Sequence, residues 1–178
     1  MIFNVAAGRV TLPVRMSVIE GHLTSTGRRF GIVAARTNDV VVSRLIDGAL
    51  DAFRRTGASD GDVVVVRTPG AWELALALRD LGRSGGFDAL VALGAVIRGG
   101  TPHFDFVAGE TAKGVFQVSL DLDLPVSFGV LTCDTLEQAL ERSGAKAGNK
   151  GFEAAMSAVE SADLRARLKA PAAKRRAR

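Results

Sequence analysis

The feature that most constrains this chain is the regular alternation of short apolar segments with longer segments whose apolar residues recur at helical spacing. The apolar segments carry almost no polar residues at alternate positions, which is typical of strands that helices cover on both faces of a sheet. The sequence therefore predicts an α/β fold, a three-layer sandwich with a central four-stranded parallel sheet. The predicted strands are "FGIVAA" (30–35), "VVVV" (63–66), "ALVALG" (89–94) and "PVSFGVL" (125–131).

The predicted helices follow these strands in turn. The first starts at Asn38 or Asp39, either of which is a suitable N-cap, and ends at Gly57. Before the first strand, "SVIEGHL" (17–23) alternates weakly between apolar and polar residues. This segment is expected to add an N-terminal edge strand to the sheet, or to form an arm that pairs elsewhere. The later helices are expected at 71–82, near 111–120, at 135–144 and at about 151–168.

The length of 178 residues suits one globular domain, which we expect to span residues 17–168. Residues 1–16 and a basic tail, 169–178, are expected to stay outside it as disordered ends. The net charge of +4 arises at the C-terminal end, because the last fourteen residues contain seven Lys and Arg and no acidic residue. The remaining chain is net acidic, so nucleic acid is not the expected partner, although polyanion binding by the tail stays open.

Hydropathy and cysteine usage narrow the class of protein further. No apolar run approaches the ~20 residues that a membrane helix needs, and no secretory signal follows Met1, so we expect a cytoplasmic protein without membrane contact. The single cysteine, Cys133, excludes an internal disulfide and a multi-cysteine metal site. We interpret Cys133 as a small buried residue and expect no metal.

Residues suited to ligand chemistry cluster where the predicted strands end. Open parallel sheets bind ligands beyond the carboxyl ends of their strands. There the chain has Thr37 and Asn38 after the first strand, 71–73 after the second, 99–103 after the third and 132–134 after the fourth. The glycine spacing matches neither a dinucleotide fingerprint nor a P-loop. The clustering therefore predicts a small-molecule site at this edge of the sheet.

The turn that follows the third strand allows two interpretations. Gly99 and Gly100 form a simple tight turn, or they expose backbone N–H groups that bind an anion such as phosphate together with the Thr101 hydroxyl. His103 is either a structural histidine or, because imidazole titrates near neutrality, a proton carrier beside that anion. The residues alone do not decide between these interpretations.

The same ambiguity holds for the other candidates. Trp72 is either a core side chain or a ligand platform, and Glu73 either complements a helix dipole or contacts the ligand. Arg142 and Lys146 lie one helical turn apart and either form a solvated face or reach an anion. His22 is interpreted as incidental to the site.

Several blocks of the sequence resemble the lumazine synthase family over roughly residues 21–164. They are "FGIVAARTND", "TPGAWE", "GAVIRGGTPHFDFV", "AKG" and "PVSFGVLTCDTLEQALERSGAKAGNKGFEAA", of which the two long ones are highly specific. The resemblance implies a flavodoxin-like fold and a cofactor-free reaction, the penultimate step of riboflavin biosynthesis. In that reaction 5-amino-6-(D-ribitylamino)uracil condenses with 3,4-dihydroxy-2-butanone 4-phosphate to give 6,7-dimethyl-8-ribityllumazine, phosphate and water.

The family pattern also implies a role for each candidate residue. His103 is the general acid/base, and Phe128, Arg142 and Lys146 belong to a neighbouring subunit of a homopentamer, so that the site is complete only in an oligomer. The residues that bind the butanone phosphate are Gly100, Thr101, Arg142 and Lys146. The residues that bind the ribityl-uracil are Thr37, Asn38, Ala71, Trp72, Glu73, Ala95, Val96, Ile97 and Phe128.

Thr37 departs from the family pattern, in which an aromatic ring usually stacks on the pyrimidine. Its presence weakens the expected affinity and keeps open a non-catalytic relative that binds a flavin or a lumazine. The short connection "GAKAGNKG" resembles members that close twelve pentamers into an icosahedral 60-subunit shell. A compartment whose tail recruits cargo is therefore a second alternative, and riboflavin synthase is a candidate partner enzyme.

Overall fold

A four-stranded parallel sheet at the centre of the chain confirms the predicted fold class. In this computed structural model, which describes residues 17–59 and 61–170, the strands lie in the order β2-β1-β3-β4. All three neighbouring pairs are parallel. The predicted extension 1–16 and most of the predicted tail lie outside the described residues. The strands are β1 (Phe30–Ala35), β2 (Val63–Thr68), β3 (Ala89–Ile97) and β4 (Val126–Cys133).

Helices cover both faces of this sheet and complete the three layers. The helices are α1 (Asp39–Arg55), α2 (Leu74–Arg83), α3 (His103–Asp121), α4 (Leu136–Glu141) and α5 (Lys150–Lys169). On one face α1 and α5 enclose a cluster of buried side chains, and on the other face α2 and α3 enclose a second cluster. A short antiparallel hairpin, β5 (Ser143–Ala145) and β6 (Gly148–Asn149), follows α4.

The position of each strand in the sheet explains its burial. Every residue of β1, an inner strand, is buried, and the Phe30 ring stacks on Phe53 of α1 with centroids 4.5 Å apart. Apolar burial of this kind contributes about 1.5–3 kcal/mol per large side chain. β2 is an edge strand, so its valines are only partly covered and Val65 is exposed. The uniform "VVVV" pattern thus predicted a strand but not its place at the edge.

The expected N-terminal edge strand is wrong within this chain, because residues 17–23 form no strand and the sheet formed by the described residues contains four strands, none of them from this segment. The segment runs along α5 instead. The backbone N–H of His22 donates to Asp163 at 2.8 Å, and at Gly21 an added Cβ would lie 2.1 Å from the carbonyl oxygen of Glu160. These contacts bind the backbone to a helix, so it does not reach either edge strand. The other expectation, an arm that pairs elsewhere, is not tested by a single chain.

Two further expectations about elements need correction. α3 begins at His103, eight residues before the helix predicted near 111–120. The prediction missed its first two turns because they face the solvent and lack a buried apolar stripe. The segment predicted as one helix at 135–144 ends at Glu141 and turns into the hairpin, where Gly144 has a φ of 115° that helices do not accommodate. Within the described part of the chain, no helix has the length and apolar character needed to cross a membrane.

Candidate functional site

An open groove of about 920 Å³ lies at the carboxyl ends of β1, β2 and β3. The loops that follow these three strands supply its walls, as expected for an open parallel sheet. It brings together ten of the residues predicted for the site, and Gly100 lies in the chain between Gly99 and Thr101, both of which line the groove. The ten are Thr37, Asn38, Ala71, Trp72, Glu73, Ala95, Val96, Ile97, Thr101 and His103. Lining residues that the sequence did not single out as ligands include Pro69, Gly70, Phe104, Phe106 and Val107.

Asn38 and Thr37 fix the loop after β1 rather than projecting freely into the groove. Asn38 has the left-handed backbone conformation (φ 59°, ψ 43°), which asparagine adopts more readily than most residues. Asn38 is the N-cap of α1, as predicted, but its side-chain amide donates to the carbonyl oxygen of Ala95 on β3 at 2.8 Å and makes no capping hydrogen bond to the helix. The Thr37 hydroxyl donates to the carbonyl oxygen of Pro69 at 3.0 Å. The first three loops are thereby held together at the floor of the groove.

The turn before α2 presents Trp72 and Glu73 to the groove. The indole of Trp72 is 60% exposed, which excludes the alternative that it is a core side chain. The Glu73 carboxylate accepts a hydrogen bond from the backbone N–H of Gly70 at 2.9 Å, and the Thr68 hydroxyl donates to the Gly70 carbonyl oxygen at 2.9 Å. Glu73 is thus oriented by its own turn, and only one of its two carboxylate oxygens is occupied there.

The turn after β3 combines an open backbone with an exposed imidazole. At Gly99 and Gly100, no atom of the residues that the structure describes, chain neighbours aside, lies within 4 Å of the position that a Cβ would take. Pro102 precedes α3 without a side-chain hydrogen bond to cap the helix. His103 is the first residue of this 19-residue helix and is exposed. The unpaired N–H groups at a helix start attract anions, so this end of the groove suits a phosphate beside a proton carrier.

The remaining predicted residues lie away from the groove in the single chain. Phe128 on β4 and Arg142 after α4 line a second, smaller cleft of about 350 Å³. Lys146 is exposed in the β5–β6 hairpin and lines neither. Cys133 lies in the second cleft, is buried as predicted, and has its thiol pKa raised by that burial. The structure therefore places most of the predicted site residues at the groove, two of them in the second cleft, and Lys146 outside both.

The second cleft also contains two charged residues that sequence reasoning missed. Lys150 and Glu153, on the first turn of α5, form an ion pair of 2.6 Å in this cleft. Asn149 caps the same turn, its side-chain oxygen accepting from the backbone N–H groups of Gly151 at 2.8 Å and Phe152 at 3.2 Å. The sequence feature that could have indicated these two residues is the N-cap at Asn149, because it places the charges that follow it at a helix start close to Arg142.

Together, the sheet, the groove and the turn at His103 define an α/β protein with a small-molecule site at the carboxyl edge of a parallel sheet. The site pairs an anion-accepting helix start with an exposed imidazole, as enzymes that move protons around a phosphorylated substrate require. The sequence model of the 6,7-dimethyl-8-ribityllumazine synthase family matches residues 27–166. The chain belongs to this family.

Individual relatives agree with the family match along most of the chain. The 6,7-dimethyl-8-ribityllumazine synthase of Anaeromyxobacter sp. (strain Fw109-5) is 58% identical over 161 residues, covering 90% of this chain and 99% of the relative. That of Aquifex aeolicus (strain VF5) is 52% identical, covering 84% of this chain and 97% of the relative. That of Syntrophus aciditrophicus (strain SB) is 55% identical, with coverages of 83% and 96%.

Proposed function

We propose that this chain catalyses the condensation of 5-amino-6-(D-ribitylamino)uracil with 3,4-dihydroxy-2-butanone 4-phosphate to 6,7-dimethyl-8-ribityllumazine. The observation that carries the proposal is the groove itself, which gathers a polar loop edge, an exposed indole and the imidazole of His103 at one end of the sheet. Family membership supplies the reaction, and the groove supplies groups with the chemistry that the reaction needs. The non-catalytic alternative depends on Thr37 alone, and no further observation favours it.

The reaction requires an amine to attack a ketone and form an imine with loss of water, phosphate to leave, and the new ring to close with loss of a second water. Each step moves a proton, and His103 is the titratable side chain placed to accept and return it. Gly100 and Thr101 hold the phosphate beside the start of α3, where N–H groups and the helix dipole favour an anion. The heterocycle lies along Ala95–Ile97, whose backbone groups complement its edge.

The ribityl chain occupies the other end of the groove. There Glu73 has one carboxylate oxygen beyond its bond to Gly70 with which to accept from hydroxyl groups, and Trp72 provides an apolar wall. Ala71 and Asn38 close the floor between the loops.

We further propose that the site is shared between subunits of a homopentamer. Phe128, which is 43% exposed, and Arg142 lie in the second cleft of the same chain, so a neighbour's cleft placed over the groove would supply the ring and the cationic phosphate contact. Lys146 joins them from the hairpin. The exposed apolar side chains of Phe116 and Leu120 on α3 are further surface that an assembly would cover.

Larger assembly belongs to the same proposal. The short hairpin connection supports twelve pentamers closing into a shell, and riboflavin synthase is the partner proposed for it. Size-exclusion chromatography with light scattering decides the size, and a lone pentamer would exclude the shell. The cytoplasmic location and any role of the basic tail stay predictions from the sequence.

The test of the catalytic proposal is the appearance of the fluorescent lumazine from the two substrates. Because the His103 imidazole is exposed and water can partly replace it, we expect His103→Ala to lower kcat by roughly 100-fold, the low end of the range for general acid–base catalysis. Arg55→Gln, on the exposed face of α1, is the matched control. Product formed no faster than without protein would refute the proposal.

A further inference from the structure

Arg98, the residue directly after β3, contacts three side chains in two different parts of the chain through one guanidinium. Its Nε donates to Asp134, after β4, at 2.9 Å, and its two terminal nitrogens donate to Asp105 in the first turn of α3 at 3.0 and 3.3 Å. The guanidinium carbon lies 4.0 Å from the centroid of the Phe104 ring. Two parallel N–H···O bonds to one carboxylate fix both distance and orientation.

The segment that this network spans has few other anchors. Between Arg98 and His103 the turn contains two glycines whose Cβ positions would touch no described residue beyond their chain neighbours, and Pro102, directly before α3, makes no side-chain hydrogen bond to the helix. Asp134 is itself held, because its backbone N–H donates to the Gln138 side chain at 2.9 Å. The guanidinium thus ties the free turn to the ends of β3 and β4.

We propose that Arg98 is a positioning residue, which fixes the turn 99–102 and the imidazole of His103 for the phosphate half of the substrate. The identity of the substrate in this inference rests on the proposed function, whereas the contacts of Arg98 do not depend on it. Three of the five N–H groups of the guanidinium are taken up by two carboxylates, whose two negative charges exceed its single positive charge. Arg98 therefore acts through the turn rather than as the cation that binds the phosphate.

Exposed ion pairs commonly contribute little to the free energy of unfolding. The expected effect of Arg98 is therefore on the geometry of the turn 99–102 rather than on stability. Both carboxylate partners raise the pKa of Arg98, Asp105 first, so the charge persists at any working pH. Displacement of reacting groups by about 1 Å costs up to about 100-fold in rate. Loosening the turn should therefore affect the phosphate-bearing substrate selectively.

The experiment compares Arg98→Gln, Arg98→Lys and Asp105→Asn with the control Arg55→Gln, which removes an equally exposed pair with Asp51 on α1. The first readout is amide hydrogen exchange of residues 99–105, which needs no activity. We expect the amides of residues 99–105 to exchange faster than in wild type in all three variants and at the wild-type rate in the control. The second readout is steady-state kinetics with inorganic phosphate as competing ligand. We expect Arg98→Gln to raise the KM for butanone phosphate and the inhibition constant of phosphate on the order of 10-fold, with the KM for the uracil unchanged.

Asp105→Asn separates positioning from direct phosphate binding. If Arg98 positions the turn, this variant weakens phosphate binding, although it removes a negative charge next to the guanidinium. If Arg98 binds phosphate directly, the same variant tightens phosphate binding, and the inference is overturned. Rescue of all readouts by Arg98→Lys would also overturn it, because lysine keeps the charge without the bidentate geometry. If the wild type forms no lumazine, the proposed function fails, and unchanged exchange at residues 99–105 then separately decides against Arg98.

Discussion

The side-chain amide of Asn38 donates to the main-chain carbonyl oxygen of Ala95 at 2.8 Å, tying the loop after β1 to the neighbouring strand β3. The bond is partly buried and lies directly under the groove. Asn38 also has the left-handed backbone conformation, so this position requires both a side chain that donates the hydrogen bond and a residue that tolerates a positive φ. The floor of the candidate site thus depends on a contact between residues that are 57 positions apart.

Two substitutions at Asn38 separate these requirements. Asn38→Gly loses the hydrogen bond but tolerates the left-handed backbone, so we expect it to lower the free energy of unfolding by about 1–2 kcal/mol. Asn38→Ala loses the bond and adds backbone strain, so it should be less stable than the glycine variant by about 1 kcal/mol. Urea unfolding at one protein concentration measures both. Equal stability of the two variants would contradict the strained conformation.

Thr37 determines how the groove receives the pyrimidine. An aromatic ring there would stack on the heterocycle, so we expect Thr37→Phe to lower the KM for the uracil substrate by roughly fivefold, from about 1 kcal/mol per aromatic contact. Thr37→Val is the control, since it removes the hydroxyl bond to Pro69 without adding a ring. Steady-state kinetics at saturating butanone phosphate gives the comparison. An unchanged or higher KM for the uracil substrate in Thr37→Phe would contradict the expected stacking.

The sheet and the groove were predictable because both follow from patterns that are local in sequence. Uniform apolar runs give buried parallel strands, and chain order then places the loops after them at one edge. The start of α3 at His103 was not predictable, since its first turns are solvent-exposed and carry no amphipathic stripe. Nor were the partners of Arg98, because Asp134 lies 36 positions away and meets it only through the pairing of β3 with β4.

Asp163 on α5 makes the stability of this protein depend on acid pH. Burial raises the pKa of its carboxyl, but hydrogen bonds from the His22 backbone, Arg28 and Arg167 outweigh this and lower the pKa from 3.8 to about 2. The folded state therefore binds fewer protons than the unfolded state between these values. The stabilisation is complete above about pH 4 and is lost as the pH falls towards 2.

We expect Asp163→Asn to lower the free energy of unfolding by roughly 2 kcal/mol at pH 7, from a pKa shift of this size. The difference from wild type should shrink towards zero as the pH falls to about 2. Urea titrations at a series of pH values and fixed protein concentration measure it. Asp51→Asn, in an exposed pair on α1, is the control and should change little. A difference that is the same at pH 7 and pH 2.5 would exclude this account of Asp163.

The division of candidate residues between two clefts of one chain leads to a test of the shared site. His103 lies in the groove and Arg142 in the second cleft, so in a shared site each comes from a different subunit. His103→Ala and Arg142→Ala chains are each defective in every homo-oligomer. In mixed oligomers from co-expression at equal amounts, a site is intact when the groove comes from one variant and the arginine from the other. Random neighbours give roughly one quarter of intact sites, and lumazine formation should recover to about that fraction of wild type.

The alternative of a site within one chain gives a different result in the same experiment. Every chain would then carry one defect in its own site, so mixed oligomers would show only the average activity of the two variants. Purified homo-oligomers mixed after assembly serve as the control, because no new neighbours form unless subunits exchange. Recovery in the co-expressed sample alone therefore requires that the imidazole of one subunit and the guanidinium of the next act on the same substrate. If both samples show only the average activity of the two variants, each chain forms a complete site of its own.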